Sequence, residues 1–404
     1  MRWAMSAVES CRIGVVGSGL GGFRVAADLR RLGHTGPLVV FGAETHPPYD
    51  RPPLSKQILL GDWTVDEARL ADDAELEALS LDLRPGAVVR AVTPGRVHLA
   101  SGSTEDFDVV VVATGAEARM PDFVPDHPLI HRLRTLDDAM RLRSALPAAE
   151  SLVVVGGGFI GGEVAAAARV LGVDVTIVEA MPTLFHRALG AEAGEYCSEL
   201  HRRHGVRVLS GSPVRGLSGA DGGVTVTLED GTHVTADLAL VGLGASLNTG
   251  VLDGLGLDVV GGVLCDGSGA VEGLDGVYAL GDVARWRDEL TGLPTRREHW
   301  STAGDQAAIV AHTILGLPVP DYLRQAPYFW SDQHGIKIQV IGRTEMARTG
   351  GWLEQDADSG SAVYGYHDGE SLVAVATFGS PRLIGKYRPL VAEGMLSARS
   401  SAVS

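Results

Sequence analysis

Cysteine is scarce in this sequence. Its 404 residues include three cysteines, Cys11, Cys197 and Cys265, and no two of them form a CxxC pair. This spacing excludes a disulfide framework and a thioredoxin-like redox pair, since both need paired cysteines. An ordinary [2Fe–2S] cluster needs one thiolate more than this chain has. Iron–sulfur chemistry, if it is involved, therefore belongs to another protein.

Long apolar runs are also absent. No stretch approaches the roughly 18 apolar residues of a membrane-spanning helix. The N-terminal residues include Glu9 and lack the apolar centre of a signal peptide. Unpaired cysteines suit a reducing compartment. We therefore expect a cytoplasmic protein that has no membrane partner.

Positive charge is in deficit. The formal net charge is −16 at pH 7, from 34 lysines and arginines against 50 acidic residues. The resulting field repels phosphate, which disfavours nucleic acid and anionic membranes as partners. A docking patch for an acidic protein must therefore be local. Candidates for such a patch are Arg285, Arg287, Arg296, Arg297 and Arg382.

Glycine and apolar residues, in contrast, are abundant. The 53 glycines and 45% hydrophobic residues favour a packed α/β protein with many tight turns. The hydrophobic pattern predicts two strand–helix–strand motifs. Their strands and helices span residues 12–17, 23–32 and 38–41 in the first motif and residues 152–155, 163–171 and 175–178 in the second.

The first motif carries a dinucleotide fingerprint, Gly17-Ser-Gly19-Leu20-Gly-Gly22, between its first strand and its helix. Gly17 permits the tight turn and Gly19 lets the backbone approach a pyrophosphate, which the helix N-terminus then binds. Glu44 follows the second strand, where a carboxylate can accept hydrogen bonds from a ribose diol. These residues predict a bound dinucleotide.

The second motif also has a glycine-rich turn between its first strand and its helix. Its turn reads Gly156-Gly-Gly158-Phe159-Ile160-Gly161. Glu179 ends the second strand, and a carboxylate there binds a ribose 2′-hydroxyl but repels a 2′-phosphate, which favours NADH over NADPH. Two dinucleotide sites need two dinucleotides, and flavin with nicotinamide is the pairing that makes a redox enzyme. We therefore expect FAD at the first site and NADH at the second.

Several segments together resemble the NADH-dependent, FAD-containing ferredoxin reductases that serve Rieske-type dioxygenases and class I bacterial cytochromes P450. The resemblance runs from about residue 12 to about residue 390. The segments that carry it are residues 48–56 (PYDRPPLSK), 113–115 (ATG), 161–163 (GGE), 278–283 (YALGDV), 298–300 (EHW) and 328–333 (YFWSDQ).

The resemblance implies a fold and a domain order. The expected fold is α/β, with two Rossmann-type domains of the glutathione-reductase type and a small C-terminal α+β domain. An FAD-binding domain at residues 1–118 and 248–322 is interrupted by an NADH-binding domain at residues 119–247. The C-terminal domain, residues 323–404, ends in a disordered tail. Strand patterns support this order, with antiparallel strands predicted within residues 206–237 and short strands at residues 336–341, 362–366 and 372–377.

The resemblance also implies residue roles. Lys56 corresponds to a lysine that lies by the flavin N5 edge and forms a buried ion pair with the glutamate at Glu163. Trp330 corresponds to a tryptophan near the flavin ring. These three are the expected catalytic residues. A fixed cation beside the ring favours the reduced flavin. Other implied contacts are Arg51, Thr114, Gly115, Asp282 and Trp300 for FAD, and Gly242 and Gly244 for NADH.

Two further details follow from the same comparison. Glu298, His299 and Trp300 are expected to open a helix whose N-terminus faces the flavin. Ala43 stands where several relatives carry aspartate, which leaves the FAD ribose to Glu44.

The expected function is a relay in which NADH gives a hydride to FAD and single electrons then pass to a separate [2Fe–2S] ferredoxin and on to an oxygenase. One alternative is an NADH-sensing flavoprotein similar to the apoptosis-inducing factor group, which shares the lysine–glutamate pair and switches conformation or partner. Another is a disulfide reductase or cysteine-based NADH oxidase. That reading needs a cysteine near the flavin, which the sequence does not supply.

Overall fold

The bounds of the helices and strands come from a computed structural model, which describes residues 10–288, 292–356 and 360–403. The α-helices are α1 Leu20–Arg31, α2 Gln57–Leu60, α3 Asp73–Leu79, α4 Leu136–Ala145, α5 Phe159–Val170, α6 His186–Arg203, α7 Trp300–Ile314 and α8 Leu383–Val403. The strands are β1 Ile13–Val16, β2 Leu38–Gly42, β3 Asp82–Pro85, β4 Val89–Thr93, β5 Arg96–Leu99, β6 Thr104–Asp106, β7 Val109–Val112, β8 Ala116–Ala118, β9 Ile130–His131, β10 Ser151–Val155, β11 Asp174–Val178, β12 Arg207–Leu209, β13 Val214–Ala220, β14 Gly223–Leu228, β15 His233–Ala236, β16 Leu238–Val241, β17 Ala245–Leu247, β18 Val263–Cys265, β19 Val277–Ala279, β20 Ala284–Arg287, β21 Pro294–Thr295, β22 Tyr328–Gln333, β23 Ile336–Gly342, β24 Thr349–Asp356, β25 Ser361–Asp368 and β26 Ser371–Phe378.

These elements form two compact units. The first unit comprises the residues up to Asp50, Arg69–Glu117 and Leu247–Pro327. The second unit comprises Arg51–Ala68, Ala118–Ser246 and the residues from Tyr328 onward. The finer division into three domains stays a prediction.

A parallel five-stranded sheet in the order β19-β7-β1-β2-β3 lies at the centre of the first unit. Every residue of β1 and β2 is buried, as is usual for parallel strands that are covered on both faces. Helix α1 packs on β1 and β2 and against α7. The first predicted strand–helix–strand motif is confirmed, and the edge at which its strands end carries the first glycine-rich turn.

A second parallel sheet, in the order β12-β11-β10-β16-β9, lies in the second unit. It contains the second predicted motif, since β10 pairs in parallel with β11 and with β16. The antiparallel strands predicted within residues 206–237 are also confirmed, as β13, β14 and β15. Both Rossmann-type folds and the α/β class are therefore present.

The C-terminal part of the second unit is an antiparallel sheet in the order β22-β23-β26-β25-β24, with helix α8 packed on β23 and β26. Strands β23, β25 and β26 match the predicted ones. The sequence pattern does not predict β22, β24 or α8, because the strands alternate weakly between apolar and polar residues and the helix has a weak helical periodicity. Helix α8 includes residues 397–403. The small and polar side chains of these residues are the reason that a disordered tail is predicted there.

Two helices begin earlier than the sequence pattern predicts. Helix α1 begins at Leu20 instead of Phe23, and α5 at Phe159 instead of Glu163. Glycines occupy both first turns, and their low helix propensity hides the true start from a pattern search. Within the described residues, no helix combines the length and the apolarity needed to cross a membrane.

Candidate active site

The first glycine-rich turn connects β1 to α1 in the first unit. Gly17 has a φ of 111°, and a side chain there would overlap the carbonyl of Ala113. A side chain at Gly22 would overlap the carbonyl of Gly17. Helix α1 begins at Leu20, and its N-cap, Gly19, makes no side-chain capping bond. The turn therefore presents backbone N–H groups at a helix N-terminus, which suits a pyrophosphate.

Glu44 lies just beyond β2, in the position predicted for a ribose contact. Its Oε2 accepts a hydrogen bond from the Tyr49 hydroxyl at 2.5 Å. Tyr49 is buried, so it holds the carboxylate from the protein side. Neither the composition nor the spacing around Tyr49 indicated this contact, although Tyr49 belongs to the proline-rich segment that carries the resemblance.

The predicted turn at Thr114 and Gly115 follows β7 and is clamped by Asn248. The hydroxyl of Thr114 donates to the Asn248 carbonyl at 2.8 Å, and the Asn248 amide donates back to the Thr114 carbonyl at 3.0 Å. The backbone N–H of Asn248 donates to the Gly115 carbonyl at 3.1 Å. No sequence pattern indicated Asn248, which is distant from the turn along the chain.

Asp282 and Trp300 lie at two helix starts of the first unit. Asp282 is in a short 3₁₀ helix, Gly281–Val283, whose first N–H donates to the Gln306 side chain at 2.8 Å. Helix α7 begins at Trp300, as predicted. The indole N–H of Trp300 donates to Asp50 at 2.7 Å. The Trp300 side chain and the backbone directly before Asp282 are therefore each bonded to a neighbour within the unit.

The second glycine-rich turn connects β10 to α5 in the second unit. Gly156 has a φ of 106°, and a side chain there would overlap the Gly242 carbonyl. Gly158 is the uncapped N-cap of α5 and borders open space, as does Gly244. Ile160, on the first turn of the helix, is 41% exposed. An open backbone beside an exposed apolar side chain fits a ligand that has both a phosphate and a flat ring.

Glu179 is the acid at the end of β11. Its Oε2 accepts a hydrogen bond from the N–H of Gly157 at 2.6 Å, and its Oε1 accepts one from Met181 at 2.7 Å. The carboxylate is thus tied to the glycine-rich turn itself. It holds its negative charge at a fixed place beside the start of α5.

Phe159 and Gly161 complete this turn. The ring of Phe159 stacks on Phe185 at a centroid distance of 4.7 Å and meets Phe329 edge to face at 5.2 Å. A side chain at Gly161 would overlap the Gly156 carbonyl. The turn is thereby fixed by packing on one side and by close backbone contact on the other.

Lys56 and Glu163 form a largely buried ion pair in the second unit. The distance from Lys56 Nζ to Glu163 Oε2 is 2.8 Å, and their side chains are 14% and 8% exposed. Glu163 also accepts hydrogen bonds from the hydroxyls of Ser55, at 2.5 Å to Oε2, and Ser331, at 2.6 Å to Oε1. Three donors therefore surround one carboxylate, which offsets the cost of burying it.

Arg51 and Trp330 belong to the segments that also supply the hydroxyl donors Ser55 and Ser331. Arg51 precedes the 3₁₀ helix Pro52–Ser55 and donates to the Arg134 carbonyl at 2.7 Å. Trp330 lies on β22 and stacks on Tyr328 at a centroid distance of 6.0 Å. The second unit thus holds all three predicted catalytic residues, Lys56, Glu163 and Trp330.

The predicted residues divide between the units. The first unit holds Gly17, Gly19, Leu20, Gly22, Glu44, Thr114, Gly115, Asp282 and Trp300, and the second holds Arg51, Lys56, Gly156, Gly158, Phe159, Ile160, Gly161, Glu163, Glu179, Gly242, Gly244 and Trp330. The first glycine-rich turn therefore lies in the same unit as Glu44 and the turn at Thr114 and Gly115. The second lies in the same unit as Glu179, Gly242 and Gly244.

Comparison with known families decides the classification. The sequence profile of the pyridine nucleotide-disulphide oxidoreductases matches residues 11–307, and a reductase C-terminal profile matches residues 328–403. The chain belongs to the pyridine nucleotide-disulphide oxidoreductase family. Members of this family use FAD and NAD(H), which agrees with the two expected cofactors.

Individual proteins are similar over nearly the whole chain. The ferredoxin–NAD(+) reductase component of the anthranilate 1,2-dioxygenase system of Burkholderia cepacia is 35% identical, over 95% of this chain and 94% of its own. The putidaredoxin reductase–putidaredoxin complex is similar in structure, with a TM-score of 0.90, 30% identity and coverage of 95% and 93%. A ferredoxin reductase for the CYP199A2 system of Rhodopseudomonas palustris has a TM-score of 0.87, 28% identity and coverage of 97% and 100%.

The residues of this family member fit both cofactors. At each turn, side chains at the motif glycines would fill the space or overlap the backbone, whereas the helix starts keep N–H groups without a side-chain cap. Such a turn accepts the pyrophosphate that FAD and NADH share. The acids Glu44 and Glu179 follow the second strand of each motif, as ribose recognition requires.

The family is named for disulfide chemistry, but the cysteines of this chain are poorly suited to it. Cys11, Cys197 and Cys265 are all free and buried. Burial raises the pKa of the Cys265 thiol to about 12 and also raises the pKa of Cys11 and Cys197. Because the thiolate is the reactive form, all three thiols are poorly suited to redox chemistry.

The arginines considered for a docking patch are mostly neutralised. In the first unit, Arg285 pairs with Asp258 at 2.8 Å and Arg297 pairs with Asp288 at 3.2 Å. Arg287 pairs with Glu272, and Arg296 with Glu298. Arg382 is exposed in the second unit. Four of the five arginines are therefore matched by a carboxylate and add little uncompensated positive charge.

His201 gives the stability of this protein a defined pH dependence. The ring is fully buried, and burial lowers the pKa of His201 from 6.5 to about 4. The unfolded chain binds a proton below about pH 6.5, but the folded chain does so only near the lowered pKa. Above about pH 6.5, the buried neutral His201 ring does not lower the free energy of unfolding. As the pH falls from 6.5 towards 4, the free energy of unfolding decreases by up to about 3 kcal/mol because of this ring.

Calorimetry of the holoprotein at about pH 7 and about pH 5 measures this effect as a drop in Tm. The variant His201→Asn has no titrating ring, so its Tm should change less between the two pH values. His233→Asn replaces an exposed histidine and should retain the wild-type drop. An equal drop in all three proteins would contradict the assignment.

Proposed function

We propose that this protein is the reductase component of an oxygenase electron-transfer chain, carrying electrons from NADH through FAD to a separate [2Fe–2S] ferredoxin. The observation that carries the proposal is the buried Lys56–Glu163 ion pair in a chain whose thiols are all buried. Electrons that reach the flavin then have no cysteine to receive them, and the relatives named above pass them to an iron–sulfur protein.

Each glycine-rich turn has a proposed ligand. FAD binds the first, through Gly17, Gly19, Leu20 and Gly22, with Glu44 at its ribose. Its other contacts are Arg51, Lys56, Thr114, Gly115, Asp282 and Trp300. NADH binds the second, with Glu179 at its ribose. Its other contacts are Gly156, Gly158, Phe159, Ile160, Gly161, Glu163, Gly242 and Gly244.

The catalytic residues are Lys56, Glu163 and Trp330. When bound, FAD takes two electrons from NADH and releases them one at a time. The protein contributes alignment and charge, and no side chain has to act as an acid or a base. Lys56 supplies a fixed cation that favours electron-rich flavin, Glu163 keeps the lysine in place, and Trp330 shapes the approach to the ring.

The partners follow from the relatives, which belong to dioxygenase and cytochrome P450 systems. A separate ferredoxin is therefore the proposed electron acceptor and an oxygenase the final one. We infer a cytoplasmic location, because three free cysteines suit a reducing compartment. The NADH-sensing alternative is not supported, since the relatives are turnover enzymes.

We expect NADH oxidation by the holoprotein to depend on added [2Fe–2S] ferredoxin, with cytochrome c as the final reporter. Turnover should rise at least about tenfold over a control without ferredoxin, and NADPH should be the poorer donor because Glu179 repels its 2′-phosphate. Steady-state rates with each nucleotide measure both effects. If NADH reduces the flavin but no ferredoxin accelerates its reoxidation, the reductase assignment fails and NADH sensing replaces it.

A further inference from the structure

A chain of buried polar side chains leads away from Glu163 in the second unit. The Ser331 hydroxyl, which bonds Glu163, lies 2.9 Å from Gln333 Nε2. Gln333 Oε1 lies 2.8 Å from His201 Nε2. His201 Nδ1 lies 3.0 Å from Nε2 of His334. Ser331, Gln333 and His201 are at most 1% exposed, so water does not compete for these bonds.

The carboxylate fixes the direction of every bond in this chain. Glu163 is paired with a lysine and can only accept, so Ser331 must donate its single proton to it. Ser331 then accepts from the amide N–H of Gln333. The carbonyl oxygen of Gln333 consequently faces the imidazole of the buried histidine, where it can only accept.

The same reasoning continues to the surface turn. His201 must carry its proton on Nε2 in order to donate to Gln333. Its ring is neutral, because burial lowers the pKa of His201 to about 4, so Nδ1 has no proton and accepts from His334. His334 lies at the tight turn between β22 and β23, with a φ of 51°. All four donors therefore point towards Glu163, and bonds aligned in this way polarise one another.

We propose that Ser331 and Gln333 are positioning residues for the reaction of NADH with FAD, a role that rests on the proposed function. The chain holds the Glu163 carboxylate in one orientation, and the carboxylate holds the Lys56 ammonium. A carboxylate that lost its Ser331 donor would keep only the bonds to Oε2, from Ser55 and Lys56, and its Oε1 would no longer be held. Rotation about the terminal torsion, which has a broad minimum, would then move Oε2 and the lysine bonded to it. The lysine would then sample several positions relative to the flavin.

The packing around Gln333 also restricts the movement of this series of hydrogen-bonded side chains. A side chain at Gly162, next to Glu163 on α5, would come within 2.9 Å of Gln333 Oε1 and 2.8 Å of the Phe185 ring. Glycine at this position therefore lets the Gln333 amide lie directly against the helix. Substitutions in the chain that keep volume but remove hydrogen bonding test its polar role separately from this packing.

The test uses the holoprotein with three variants. Ser331→Ala removes the donor to Glu163, and Gln333→Met removes the next donor at nearly the same volume. Ser198→Ala is the matched control, since Ser198 is also fully buried and bonds only backbone groups of its own neighbourhood, Leu184 N–H and Gly194 C=O. Stopped-flow reduction of the flavin by NADH, without ferredoxin, gives the limiting rate and the Kd for NADH.

We expect the limiting rate to fall about tenfold in Ser331→Ala and about threefold in Gln333→Met, with the Kd for NADH changed less than about twofold. Ser198→Ala should reduce at the wild-type rate. A merely structural role would move the rate and the Kd together or neither. Rates equal to wild type in both chain variants would overturn the proposal.

Nitrogen NMR of labelled histidine rings gives a second readout that needs no NADH. The wild-type protein should show His201 protonated on Nε2 and unprotonated on Nδ1, and Gln333→Met should lose this fixed tautomer. An Nδ1-protonated His201 in the wild type would overturn the direction of the chain. A wild-type protein that NADH does not reduce would overturn the proposed function instead, and the ring tautomer would still decide whether the chain exists.

Discussion

Replacing Glu163 by alanine should destabilise the protein by about 3–5 kcal/mol, because the Lys56 ammonium would be left buried without its partner. The side chain of Lys56 is only 14% exposed, so water cannot replace the carboxylate. Flavin reduction by NADH should also slow about 100-fold, since the cation would no longer be held in place. Denaturant unfolding and stopped-flow reduction measure the two effects.

Two further variants separate stability from catalysis. Glu199→Ala removes an acid from an exposed ion pair, whose partner Arg203 is 72% exposed, and should cost less than about 0.5 kcal/mol. The double variant Lys56→Met/Glu163→Leu replaces the pair with apolar groups and should recover most of the lost stability. It should remain slow with NADH. A double variant that regains the wild-type rate would show that the ion pair has no part in the reaction.

Replacing Glu179 by glutamine should lower the ratio of kcat/KM for NADH over NADPH by about 100-fold, or about 2.7 kcal/mol. The carboxylate accepts backbone N–H bonds at 2.6 and 2.7 Å and so holds one negative charge at a fixed place beside the second glycine-rich turn, the proposed NADH site. Glutamine has a single acceptor oxygen and no charge, so it removes the repulsion and weakens the ribose contact together. Steady-state kinetics with both nucleotides measure the ratio.

The matched control is Glu229→Gln, which removes the same charge from an exposed position of the same unit. It should leave the nucleotide ratio within about twofold of the wild-type value, because exposed charges are screened over short distances. A selectivity that changed equally in both variants would indicate a general charge effect. Unchanged selectivity in Glu179→Gln would place nucleotide discrimination at another residue.

Local patterns made much of the fold predictable from the sequence. The apolar runs of β1, β7 and β10 are fully or almost fully buried, and continuous burial on both faces requires apolar residues at every position. The glycines that follow β1 and β10 adopt positive φ values, which glycine adopts readily. The sequence pattern did not predict β22 and α8, since the residues of these elements face different environments along their length.

The sequence by itself determined the two dinucleotide-binding motifs, the acids that follow them and the Lys56–Glu163 pairing, because short spacings and familiar segments carry those features. Only the tertiary structure decided what surrounds the pair. Ser331 is 168 residues from Glu163 along the chain, and His201 is 132 residues from Gln333. Contacts at such separations depend on where α5 and α6, which carry Glu163 and His201, lie against strand β22. No spacing rule encodes that packing, so the donor chain could be found only in three dimensions.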